Sequence, residues 1–136
     1  MKNSGRTILA LVVVIIVLAL LSFEAPSLEP DQSNYEKYAF WLQFESSIAF
    51  FIAVTAGAVV ARNNFLVPAL ALAVIGWSAV VYILYDISNV GGSASLARIA
   101  LENFEGFILY GIAAVLGVRL GRWFYRHEIE DVTAAS

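Results

Sequence analysis

A chain of 136 residues with 60% hydrophobic side chains, 14% charged ones and a mean hydropathy of +0.78 carries more apolar surface than one water-soluble core encloses. Four apolar runs of spanning length take up about 80 positions at about 20 per crossing, which leaves short loops and no room for a separate soluble domain. The lack of cysteine excludes a disulfide framework, an iron–sulfur centre, a thiolate zinc site and a cysteine nucleophile. A net charge of −3 argues against a nucleic-acid partner, which needs clustered Lys and Arg.

The first run, Thr7 to Phe23, follows a short polar start with Lys2 and Arg6. A secretory signal is the competing reading. Cleavage after Ala25 would put the bulky Phe23 at the −3 position, so the run is read as an uncleaved anchor. In hydrocarbon its backbone must close its own hydrogen bonds, which makes it a helix despite its Val and Ile content. The turn-rich stretch Glu24 to Ala39 contains Pro26, Pro30 and Asp31, and it resists helix until Ser33 or Asn34 caps the second element.

The second run covers about residues 40–61 and the third about 65–85, with Arg62-Asn63-Asn64 between them as a tight hairpin. Pro68 falls in the first turn of the third helix, where a missing N–H costs nothing. The following loop, Asp86 to Ser95, contains Gly91-Gly92, which reads as a flexible connection ending in a Ser95 N-cap rather than as an anion nest. The fourth run, residues 99–120, has an unbroken apolar core only from Gly106 to Val118. That core rises about 20 Å, short of the roughly 30 Å of hydrocarbon, so ionisable groups fall at membrane depth there.

Lys2, Arg6, Arg62, Arg119, Arg122 and Arg126 lie on one side of a four-pass layout, against Lys37 and Arg98 on the other. This asymmetry predicts an all-α, polytopic membrane protein, a four-transmembrane-helix bundle in the inner membrane with both termini cytoplasmic. Aromatic residues mark the same boundaries: Tyr35, Tyr38, Phe40, Trp41 and Phe44 at one interface, Trp123 and Tyr125 at the other.

Lipid tails are as apolar as leucine, so helix association rests on close backbone approach and a few hydrogen bonds. Small residues at four-residue spacing allow that approach. Helix two offers Ala49, Ala53, Gly57 and Ala61, and helix four offers Ala113, Gly117 and Gly121. Helices two, three and four are expected to form the tight centre, with the bulky first helix outside.

Charged side chains within a membrane are functional candidates by default. Glu45 lies four residues before Ala49 and Glu102 four before Gly106, so both are expected to point inward with the small stripes. With Asp86 and Glu105 they form a candidate polar cluster for which Arg98, one turn before Glu102, is the available cation. Gln43, Ser46, Ser47, Tyr110 and Asn103 are among the neutral donors within reach.

No catalytic residue, metal site or cofactor is predicted. The one histidine, His127, lies beyond the fourth helix, so haem ligation and a His-Glu-x-x-His zinc site have no ligands. Ser78 has no base at its depth and is expected to bond its own helix. In length and four-pass layout the chain resembles small multidrug transporters and fluoride channels. The first helix lacks the glutamate that marks the former, and the asparagine and phenylalanine arrangement of the latter is not found. Layout alone does not transfer function. The expectation is a non-enzymatic structural or accessory subunit whose partners are membrane lipids and either a second copy or another membrane protein. The alternative is a small proton- or cation-linked transporter or channel using the carboxylates.

Overall fold

The computed structural model describes residues 2–22, 35–62, 65–89 and 95–134, and side chains within these at 4–21, 35–62, 65–89 and 95–127. All regular structure among them is helical: α1 (Lys2–Ser22), α2 (Tyr35–Ala61), α3 (Leu66–Ser88), α4 (Leu96–Glu102) and α5 (Phe104–Ala134). Four of the five, all but α4, are long and apolar enough to cross a membrane. Ser33, Asn34 and Gly91-Gly92 lie outside the described residues.

The expected fourth helix is two helices. Asn103 interrupts it with φ −109° and ψ 22°, while its backbone N–H still reaches the Ile99 carbonyl. Asparagine side chains compete with helical hydrogen bonding, and here the Asn103 Nδ2 donates to the Ile99 carbonyl at 2.8 Å. Helix α5 then continues well past the apolar stretch, and α2 begins five residues before its expected start, at Tyr35. At 1.5 Å per residue these two helices extend about 46 and 40 Å, longer than the hydrocarbon itself.

Helices α2 and α5 share the most extensive interface of the bundle; α1 packs on α2, α3 packs on α5, and α2 meets α3 only sparsely. The centre is therefore the α2–α5 pair, with α1 and α3 as flanking helices, rather than the expected group of helices two, three and four. Glycines lie at these contacts. A Cβ on Gly117 would meet the Phe51 carbonyl and the Val54 side chain, and one on Gly121 would meet the Thr55 carbonyl at 2.7 Å and the Ala58 Cβ at 2.6 Å. Together with Gly106 against Gln43, these contacts keep one constant register, so α2 and α5 run in the same direction.

Gly57 faces the other way. Its notch is filled by α1, where a Cβ would meet Val14 at 2.5 Å and the Ala10 carbonyl at 3.1 Å. Ala10 and Val14 are fully buried, so the bulky first helix has one tight seam and a lipid-like remainder, including Ile8, Ile15 and Leu20 exposed. Of the remaining small positions, Ala53, Ala61 and Ala113 are buried and Ala49 is half-buried.

Helix α2 ends at Arg62, whose positive φ of 63° forms a left-handed stop, with its N–H bonded to the Ala58 carbonyl at 3.1 Å. A non-glycine residue in this conformation costs about 1–2 kcal/mol. The Arg62 guanidinium lies 4.9 Å from the centre of the Tyr125 ring, a cation–π contact that offsets part of that cost and ties α2 to α5.

Candidate functional site

The break between α4 and α5 brings together Gln43 and Asn103, two of the buried polar residues among those described. Gln43, Ser47 and Asn103 are the buried polar residues among those described. Gln43 Nε2 donates to Asn103 Oδ1 at 2.6 Å, and Trp77 Nε1 donates to the Asn103 carbonyl at 3.2 Å. The Gly106 N–H also donates to that carbonyl, at 3.1 Å. One asparagine thus joins α2, α3 and both halves of the broken helix. Gly106 makes room for it: a Cβ there would collide with the Gln43 carboxamide oxygen.

Aromatic packing closes the site. The Trp77 ring meets Phe107 at 5.3 Å, and the buried Tyr110 ring meets Phe50 at 5.1 Å. Tyr110 also covers Gly76, where a Cβ would lie 2.7 Å from the ring. Ser47 Oγ donates to the Phe44 carbonyl of its own helix at 2.8 Å. The arrangement is a satisfied neutral network, with its donors spent on the chain itself.

The acids occupy different ground. Glu45, Asp86, Glu102 and Glu105 are all exposed, as is Arg98. Arg98 Nε and Glu102 Oε1 form an exposed pair at 2.6 Å, whose hydrogen bond and charge raise the Arg98 pKa further above its ordinary value. It is the one ion pair among the described residues, and exposed i,i+4 pairs contribute little to stability. The remaining three acids do not join it.

The inward orientation expected of Glu45 and Glu102 is corrected for two separate reasons. Gln43 and Ser47 are the buried positions at this level of α2, and Glu45 stands two residues from each, so it projects to the opposite face. Glu102 and Gly106 belong to different helices, and the interruption at Asn103 resets the helical phase between them. Glu105 sits in the first turn of α5, where its charge complements the helix dipole. Sequence reasoning named Gln43 and Asn103 only as auxiliary donors; two carboxamides at helical depth, one of them before a glycine, were the available signal.

Ser78 Oγ donates to the Val74 carbonyl of its own helix at 2.8 Å. The Tyr35 hydroxyl is buried without a hydrogen-bond partner among the described residues. No protein family, no curated protein and no solved structure matches this chain.

Proposed function

We propose that this protein is a multi-pass component of a bacterial-type cytoplasmic membrane, crossing it four times with both termini inside, and that it works as a small structural or accessory subunit through helix–helix contacts. The four long apolar helices and the excess of Lys and Arg on one side support the layout. Its partners are membrane lipids and either a second copy or another membrane protein, and it performs no catalysis.

The observation that carries this reading is the outward orientation of Glu45 on the central helix α2. A conduit needs its carboxylates to face a shared interior. That interior is filled here by Gln43, Asn103, Trp77 and Tyr110, whereas Glu45 and Glu105 look away from the bundle. An outward carboxylate on a spanning helix calls for a donor from a neighbouring helix or the interface.

The test is mass measurement of the intact assembly released from native lipid. More than one chain, or a second membrane protein, is expected, and Glu45→Gln should reduce that assembly while the single chain stays helical. A lone chain in native lipid would overturn the reading, and proteoliposome ion flux lost in Glu45→Gln would replace it with the transport alternative.

A further inference from the structure

Helix α5 carries an apolar groove on its outer face that includes Ile108, Gly111, Ile112 and Val115. Gly111 forms a notch in it, because a Cβ at that position would meet nothing within 4 Å. Further along the same helix stand Arg119, exposed, and Arg122, half-buried. At about 100° per residue, the mean direction of these two arginines coincides with that of the four groove residues. The groove therefore runs straight into the arginine pair.

Beyond the charge asymmetry they share with Lys2, Arg6, Arg62 and Arg126, these two charges are given no partner by the described residues. Helix α5 continues to Ala134, so they lie far from its C-terminal turn, and the helix dipole acts only over the last turn. Neither forms an ion pair among the described residues, and every acid with a described side chain sits toward the other end of the bundle. Arg62 is engaged over Tyr125, and Arg126 has Glu130 four residues beyond it in sequence. Trp123 and Phe124, both about half exposed with rings 5.1 Å apart, follow Arg122 directly and mark this level as the headgroup region.

We propose that this face of α5 seats one anionic phospholipid, with an acyl chain along the Gly111 groove and the phosphate at Arg119 and Arg122. The dimensions agree. From Ile108 to Val115 and on to Arg119 the helix rises about 16 Å, close to the roughly 15 Å depth of one hydrocarbon leaflet. Positive charge beneath an apolar groove selects a lipid over a soluble anion, because both ends of the ligand are used. The proposal needs only membrane residence, so its failure would leave the accessory-subunit reading standing.

The experiment is lipid retention by the full chain, purified in neutral detergent and weighed intact after exposure to phosphatidylglycerol or to phosphatidylcholine of the same acyl composition. One phosphatidylglycerol per chain is expected, in preference to phosphatidylcholine. An arginine near an anionic surface contributes a roughly fivefold preference, so Arg119→Gln with Arg122→Gln should weaken retention about 25-fold. Arg98→Gln, which removes the same charge at the other end, should leave it unchanged. Gly111→Leu should lower retention with both arginines intact; its side chain enters open space, so unchanged circular dichroism keeps that result interpretable. Equal retention of the two lipids, displacement by inorganic phosphate, equal loss in Arg98→Gln, or a lipid-free dimer covering the groove would each overturn the proposal.

Discussion

Gln43 and Asn103, separated by 60 positions in the chain, are joined by a buried 2.6 Å hydrogen bond that fastens α2 to the interruption between α4 and α5. Each amide accounts for the other: Asn103 spends its Nδ2 on the Ile99 carbonyl and offers its Oδ1 across the interface. Interhelical bonds of this kind contribute about 0.6 kcal/mol on average in membrane proteins, and up to about 1.7. Leaving one partner buried and unpaired costs more, about 1–3 kcal/mol.

That asymmetry predicts non-additive substitutions. Gln43→Leu and Asn103→Ala should each lower unfolding stability in detergent by about 1–3 kcal/mol. The double variant should lose clearly less than the sum of the two, because neither amide is then left without its partner. Additive losses in thermal or denaturant unfolding would show that the two side chains do not act on each other.

The glycines should divide by what surrounds them. Gly121→Leu pushes into the Thr55 carbonyl and Ala58, and Gly57→Leu into Val14 and the Ala10 carbonyl. Overpacking of this kind costs about 1–3 kcal/mol. Backbone cannot yield as a flexible side chain does, so both variants should unfold at lower temperature. Gly111→Leu meets open space and should unfold no earlier than the parent chain. Equal melting of Gly121→Leu and Gly111→Leu would contradict the close approach of α2 and α5.

Tyr35 gives a prediction of opposite sign. Its buried hydroxyl finds no partner among the described residues, and a buried donor without a partner is destabilising. Tyr35→Phe removes the hydroxyl and retains the ring packed on the core. Its unfolding temperature should equal or exceed that of the parent; a loss above about 1 kcal/mol would reveal a hydrogen bond to the hydroxyl.

Topology is testable without reference to packing. Single cysteines at Ser27, Asn64 and Ser136 can be labelled in right-side-out vesicles with an impermeant thiol reagent, the chain having no cysteine of its own. Ser27→Cys should react from outside, and the other two only after permeabilisation. Labelling of both Ser27→Cys and Ser136→Cys from outside would place the termini on opposite faces and remove the four-pass layout, and labelling of Ser136→Cys with Ser27→Cys protected would invert it.

Four helices of spanning length were legible in the chain because the constraint behind them is local: a backbone in hydrocarbon must bond itself, and an apolar run of about 20 residues is long enough to do so across the core. Glycines at 57, 117 and 121 were visible as candidate notches for a related reason, since the absence of a side chain is read residue by residue. Which helix fills each notch was not. Gly57 receives α1 while Gly117 and Gly121 receive α2, and that choice depends on how four surfaces compete for one another. The inward projection of Glu102 failed because it assumed one unbroken helix from 99 to 120. The interruption at Asn103 is stabilised by Gln43 and Trp77, residues far away in sequence, so helical phase across it was not a property of the local segment. Chain composition and hydrophobic run length settled that the chain is helical and that four of its helices are long and apolar enough to cross a membrane. Only tertiary packing decided which polar groups are enclosed, because burial of a carboxamide or exposure of a carboxylate depends on the neighbour it meets.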